Sequence, residues 1–270
     1  MRTALAIAGS DSSGGAGIQA DLKTFAAFGV YGTSAITAVT AQNTVGITAL
    51  STLSADLVIA QMEAVAGDIE IHATKTGMLA TAAIIEAVAA AIEELSLPMV
   101  VVDPVMVSKS GDRLLDADGV EMLRAELLPR ALVVTPNIPE AEALSGRPIA
   151  SPEDVRAAAR RIHEMGPSAV IVTGGHGTGA DLVDLLFDGH TFTEFRTTRI
   201  ETPHTHGTGC TFASAVAANL ALGHALAESA ARAQRYVAGA IRHAPAIGHG
   251  HGPLDHFWNM RSAEESSQGR

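Results

Sequence analysis

ALAIAGSDSSGGAGIQADL, residues 4–22, joins a short apolar run, a glycine- and serine-rich loop and the start of a segment with helical spacing. A buried strand that feeds a helix through such a loop is the opening unit of a parallel α/β sheet. The rest of the chain repeats it. Apolar β-rich runs predict strands at Ala4–Ala8, Ser34–Gln42, Ala73–Thr76, Met99–Asp103, Leu132–Thr135 and Ala169–Thr173. Alanine-rich periodic segments between them predict helices at Gly17–Phe28, Ala55–Ala66, Thr81–Leu95, Ala117–Leu127 and Pro152–Met165. The last begins with Ser151 as N-cap, Pro152 at the first helical position and acids in the first turn.

After Thr173 the pattern changes. DLVDLLFDG and HTFTEFRTT read as two strands of an antiparallel hairpin about Asp188-Gly189, followed by a strand near Arg199–Thr202 and helices at Cys210–Leu222 and Ala225–Ile241. The expectation is an α/β fold with a mainly parallel central sheet carrying an antiparallel hairpin. It comprises one domain over residues 1–260 and a polar, disordered tail, RSAEESSQGR, over 261–270.

Composition narrows the function classes. The 270 residues are 47% hydrophobic and 17% charged, as in a globular protein, with a formal net charge of −11. A surface of that sign repels phosphate backbones, and no run of Lys or Arg makes a local basic patch, so no nucleic-acid partner is expected. One cysteine precludes an internal disulfide, which suits a reducing, cytoplasmic setting. The first apolar run is too short for a secretory signal. Thr24–Ala55 carries no charge, but its Gly, Thr, Ser, Gln and Asn stations read as a buried segment of a soluble protein, so no membrane partner is expected.

In open parallel sheets ligands lie beyond the carboxyl ends of the strands, where strand order reverses. The segments in that position are GSDSSGGAG, AQN, TGM, DPVM, TPNIPE, TGGHGTG and HGTGC. Gly9 and Gly14 have Walker A spacing, but Gly15-Ala16 stands where Lys-Ser/Thr is required; the dinucleotide fingerprint fails at Ala20. What remains is a small-residue loop, either a tight turn or a surface for close ligand approach. Asp103 and Glu140 end neighbouring strands, which suits Mg²⁺, a cation that takes one or two carboxylates plus waters and phosphates. Capping a turn and a helix N-terminus fits them equally. His204 with His206 and His249 with His251 have the look of metal pairs, but no third zinc ligand is recognisable, so they read as loop histidines.

In THGTGCTFASAVAANLAL, Gly207 and Gly209 allow successive N–H groups to converge at a helix N-terminus, an anion nest that needs no lysine. Cys210 sits beside that nest. Two readings fit it: a small buried hydrophobe, or a thiol whose pKa the helix dipole lowers.

AIAGSDSSGGAGIQADLKTFAAFGVYG, TAVTAQNTVG, KTGML, VVVDPVMVSKSGDRLL, TPNIPEAEAL, THGTGCTFASA and GHGHGPLDHF together resemble the hydroxymethylpyrimidine/phosphomethylpyrimidine kinases of thiamine biosynthesis, within the ribokinase-like superfamily. The resemblance runs from Thr3 to about Trp258. It implies a three-layer α/β/α domain that phosphorylates a pyrimidine alcohol and then its monophosphate, with ATP as co-substrate and Mg²⁺ as cofactor. Carried over by motif, Gln42 would hydrogen-bond the pyrimidine, while Gly9, Ala16, Met78 and Val105 would shape the pocket. Gly207, Thr208 and Gly209 would form the anion hole, and Cys210 would stand at the place of a catalytic base. Asp103 and Glu140 would arrange Mg²⁺; Asn137, Thr173 and Gly175 would contact ATP. Thr173 departs from the pattern, since several relatives have a lysine there, and this shifts the expected phosphate clamp to the nest and Mg²⁺. No second catalytic domain is expected after Trp258, and a homodimer is. The rival readings are a pyridoxal kinase of the same superfamily, a non-catalytic pyrimidine-binding protein and a zinc hydrolase built on the histidine pairs.

Overall fold

Ala4, Leu5, Ala6, Ile7 and Ala8 are completely buried, as the apolar run at the start of the chain requires of a central parallel strand covered on both faces. The computed structural model describes residues 1–108, 111–174 and 181–260; the predicted tail at 261–270 and Gly175 lie outside them. The chain runs β1 (Thr3–Asp11), α1 (Gly17–Ala27), β2 (Tyr31–Gln42), β3 (Ile47–Thr52), α2 (Ala55–Ala66), β4 (Ala73–Thr76), α3 (Ala82–Glu94) and β5 (Val100–Val102). It continues with α4 (Ala117–Met122), β6 (Val133–Val134), α5 (Ile138–Ser145), α6 (Pro152–His163), β7 (Ala169–Val172), β8 (Asp181–Phe187), β9 (Phe192–Thr198), α7 (Thr208–Ala221) and α8 (Leu226–Arg242).

These strands form one sheet in the order β3-β2-β1-β4-β5-β6-β7-β8-β9. Strands β2 to β7 are parallel, while β3 and the β8–β9 hairpin are antiparallel additions at the two edges. Two apolar layers cover the sheet. Val58, Met62, Ile85, Val88, Met122, Leu144 and Ile162 bring α2 to α6 onto one face. Phe25, Phe212, Ala213, Val216, Ala230 and Tyr236 bring α1, α7 and α8 onto the other. The expected three-layer α/β/α architecture is therefore observed. Strand order reverses beside β1, whose neighbours are β2 and β4, so the ends of those strands mark the place to look for a ligand.

Local chemistry accounts for the elements. At α6, Ser151 Oγ accepts the Asp154 N–H and Asp154 reaches back to the Ser151 N–H, a reciprocal capping box behind Pro152. Helix α7 is buried from Thr211 to Ala221; its alanines let it lie close under the sheet.

Three expectations are corrected. The segment after Gln42 is not buried: Asn43 Oδ1 accepts the Val45 and Gly46 N–H groups, and the chain returns as β3, an almost wholly exposed edge strand. The helix from Ala117 gives way to a π turn at Leu123–Leu127 and a 3₁₀ turn at Leu128–Arg130, because Pro129 lacks an N–H and crowds the carbonyl four residues before it. Arg199–Thr202 forms no strand; beyond Thr198 the chain leaves the sheet edge toward His206, whose N–H bonds Gly252 O at 3.1 Å.

Candidate active site

Asp11, at the end of β1, organises the glycine loop. Its Oδ2 accepts the N–H groups of Gly15 and Ala16, and its Oδ1 accepts the N–H and hydroxyl of Ser13. The same Oδ2 lies 2.8 Å from Nε2 of His206, in the loop before α7. Burial works against the charge, but His206, Ser13 and the Ala16 N–H together hold the carboxyl down at about 2. The loop is closely fitted: a Cβ on Gly207, whose φ is +83°, would collide with the Gly15 carbonyl, and one on Gly15 would strike the His206 ring. First and last motifs of the chain thereby meet at the carboxyl end of β1.

The residues expected to shape a pocket gather around this join. A Cβ at Gly9 would meet the Met78 methyl, so the glycine makes room for that side chain. Ala16 begins α1 beside Gly207. Gln42 Nε2 lies 3.5 Å from His206 Nε2, while Gln42 Oε1 accepts the Thr40 hydroxyl at 3.0 Å. Val105 follows Asp103 at the end of β5, in a turn closed by its N–H on the Asp103 carbonyl at 2.9 Å.

At the N-terminus of α7, Gly207 is the left-handed N-cap. Thr208 is turned back, its N–H and hydroxyl both donating to Thr205 O. The N–H groups of Gly209 and Cys210 therefore remain in the first turn, where no intrahelical acceptor exists. A Cβ on Gly209 would lie 3.9 Å from Asp103 Oδ1, so this turn faces the acid. The Cys210 thiol lies beside Asp103 and the Gly17 N–H, close enough for each to bear on its charge. The expectation of a dipole-lowered thiol is overturned: burial, helped by Asp103 and Asp21, pushes it up despite nearby Lys75, and it is protonated near neutrality.

Asp103 is buried, and its Oδ2 has no hydrogen-bond partner. Glu140 is buried close by, accepting the N–H groups of Asn137 and Met106; burial and the charge of Asp103 push its carboxyl up to about 8. Two neighbouring buried acids, each pushed up by burial, suit a hard divalent cation that would favour their ionised forms and complete its shell with water and phosphate. Glu140 also completes a capping box with Asn137 at α5, so both readings of this residue hold at once. Thr173 pairs with Asn137 across the sheet end, its N–H on Pro136 O at 2.9 Å. Gly174 donates to Asp184 Oδ1, and the Val183 carbonyl leaves no room for a Cβ there. Gly175 lies outside the described residues.

A family model described as phosphomethylpyrimidine kinase matches residues 11–255. The chain belongs to the phosphomethylpyrimidine kinase family. It is 51% identical over 258 residues to a hydroxymethylpyrimidine/phosphomethylpyrimidine kinase of Synechococcus elongatus, covering 95% of this chain and 98% of that one. It is 52% identical over 253 residues, 94% of this chain, to the thiamine biosynthesis bifunctional protein ThiED of Geobacter sulfurreducens, and spans about half (52%) of that protein's length. Among solved structures, a pyridoxal kinase of Bacillus subtilis in complex with ADP superposes with a TM-score of 0.90 at 41% identity, covering 96% of this chain and 99% of that one.

Two features of this phosphomethylpyrimidine kinase family member escape sequence reading. Asp11 sits among serines and glycines and looks like one more turn residue; its link to His206 spans 195 positions. Lys75, in KTGML, is wholly buried with Nζ 2.9 Å from Asp21 Oδ1. A lysine inside a predicted strand was the available signal. Of the paired histidines, His206 holds Asp11 and His251 Nδ1 faces Pro203 O at 3.2 Å, the N–H groups of His249 and His251 bond the Thr44 side chain and carbonyl, and the buried His204 Nδ1 has no hydrogen-bond partner. No helix among the described residues is long and apolar enough to cross a membrane.

Proposed function

We propose that this chain transfers the γ-phosphoryl group of ATP to the hydroxymethyl oxygen of 4-amino-5-hydroxymethyl-2-methylpyrimidine, and a second phosphoryl group to the resulting monophosphate, supplying the pyrimidine half of thiamine. One observation carries the reading: the Asp11–His206 join brings the Gln42 side chain and the α7 N-terminus together at the carboxyl ends of the parallel strands, beside Asp103 and Glu140. Phosphoryl transfer asks a protein chiefly for position and charge stabilisation. Gln42 orients the ring, with Gly9, Ala16, Met78 and Val105 around it. The first-turn N–H groups at Gly209 and Cys210, framed by Gly207 and Thr208, receive the transferring group as an anion. Asn137 and Thr173 line the side from which ATP approaches. Asp103 and Glu140 would hold Mg²⁺, which supplies neutralisation of phosphate charge when bound. Because its thiol is protonated, Cys210 steadies the alcohol and Asp103 rather than serving as a resting base.

A second reading, pyridoxal phosphorylation, draws on the likeness to the Bacillus subtilis pyridoxal kinase. Gln42, a donor and acceptor suited to an aminopyrimidine edge, supports the first. Competing the two alcohols in one ATP-dependent assay decides between them: kcat/KM at least tenfold higher for the pyrimidine is expected, and parity or a preference for pyridoxal overturns the choice. We further read the chain as cytoplasmic and as a homodimer, the dimer supported by the exposed apolar side chains of Tyr31, Val39, Leu50 and Leu57 and testable by sedimentation.

A further inference from the structure

Lys75 stands where the fold has no use for a charge. Its register partners are Ala6 on β1 and Val101 on β5, both buried in the apolar layer between the sheet and helices α1 and α7. Yet its side chain and that of Asp21 on α1 are wholly buried, with Nζ 2.9 and 3.0 Å from the two Asp21 oxygens. Ser214 Oγ on α7 donates to Asp21 Oδ1 at 2.6 Å. A Cβ on Gly77 would come within 2.8 Å of Nζ, so the ammonium is confined. Well-packed apolar side chains generally replace a buried ion pair at no loss of stability, so stability alone is a weak reason for such a cluster.

The far side of the ammonium supplies the reason. Nζ lies 3.7 Å from Asp103 Oδ2, the buried oxygen without a hydrogen-bond partner. Among the described residues no other Lys or Arg comes within 4 Å of Asp103. Asp103 in turn faces the α7 N-terminus, where a Cβ on Gly209 would lie 3.9 Å from its Oδ1 and the Cys210 thiol lies beside it. The line Ser214–Asp21–Lys75–Asp103–Cys210 therefore starts in the second turn of α7, crosses α1 and β4, and returns to the first turn of α7 from below.

We infer that Lys75, held by Asp21 and Ser214, is a positioning residue of the phosphoryl-transfer site, fixing the Asp103 carboxylate against the α7 N-terminus. The inference rests on the proposed phosphotransferase reading. Lys75 touches neither alcohol nor phosphate. It keeps the Asp103 oxygens in one orientation toward the cation and offsets their charge against the arriving phosphate, whereas the ring is oriented by Gln42, across β1 on β2.

The test compares the parent chain with the double variant Asp21→Asn/Lys75→Met, which keeps size and net charge and removes both ions of the Asp21–Lys75 pair together. Expected are a melting temperature within a few degrees of the parent, KM for the pyrimidine alcohol within threefold, and kcat lowered at least tenfold. Binding of Mn²⁺ in the presence of ADP, followed by electron paramagnetic resonance, is expected to weaken at least threefold; with net charge unchanged, that loss reports orientation. Parental kcat and Mn²⁺ affinity in the double variant overturn the inference. Should the double variant fail to fold, Ser214→Ala leaves both charges in place and is expected to lower kcat several-fold at unchanged KM and melting temperature; parental kcat there also overturns it. A parent that phosphorylates neither alcohol refutes the functional reading instead, and the Mn²⁺ comparison then decides the role of Lys75 alone.

Discussion

The Oδ2 of Asp11 lies 2.8 Å from Nε2 of His206, and through that contact the first strand of the sheet is tied to the glycine turn that opens α7. In the folded chain the Asp11 carboxyl is held at about 2 against an ordinary 3.8, so its charged form favours the folded state. That stabilisation is complete above about pH 4, on the order of 2 kcal/mol, and is lost as the pH falls through about 2. Asp11→Asn is therefore expected to lower the melting temperature by about 4 to 8 °C at pH 7. In thermal melts the gap should narrow at pH 3; an equal gap at both pH values contradicts the linkage.

The two glycines of the α7 turn should respond differently to one added methyl group. At Gly207, φ is +83° and the Gly15 carbonyl occupies the space, so Gly207→Ala is expected to destabilise the fold by about 2 kcal/mol or more and to abolish activity. At Gly209 the methyl would meet only Asp103 Oδ1, at 3.9 Å. Gly209→Ala should melt like the parent yet lose at least tenfold in kcat/KM, because the methyl projects into the phosphate space. Parental turnover in Gly209→Ala would remove the anion hole from this turn.

Cys210 is the residue on which the structure reverses the expectation from sequence. A helix N-terminus lowers a thiol that faces water; here burial and Asp103 prevail, and the thiol stays protonated. Cys210→Ala is expected to reduce first-step kcat by no more than about tenfold, short of the 10²- to 10⁴-fold contribution of a general base. The parent's rate should show no thiol titration between pH 7 and 9. A fall of a hundredfold or more would reinstate the base.

Glu140 serves α5 and the acid pair together. Glu140→Gln preserves an acceptor for the Asn137 N–H, so the cap at α5 remains. It removes one of the two buried acids that a cation would ionise. Half-saturation of turnover by Mg²⁺ is expected to rise at least tenfold, with the metal-free melting temperature unchanged or slightly higher. An unchanged Mg²⁺ requirement would assign Glu140 to the cap alone.

Periodicity exposes the parallel core because Ala4–Ala8, Val100–Val102 and Ala169–Val172 lie in apolar layers on both faces and carry almost nothing polar. The β3 edge escaped the same reading: an exposed strand has no apolar face to reveal it, and its polar stations resemble those of a buried segment. Strand-end residues such as Gln42, Asp103, Glu140 and Cys210 were legible because chemistry at those positions interrupts apolar runs. The contacts Asp11–His206 and Asp21–Lys75 were not, since each joins residues whose local sequence is ordinary and whose pairing exists only once β1, β4, α1 and α7 are packed.

The most direct measurement incubates the protein with Mg-ATP and 4-amino-5-hydroxymethyl-2-methylpyrimidine and follows the products by mass spectrometry. Monophosphate should appear first and diphosphate later, each with stoichiometric ADP. Monophosphate that never proceeds to diphosphate would contradict the second transfer, and ATP left unconsumed would contradict the account as a whole.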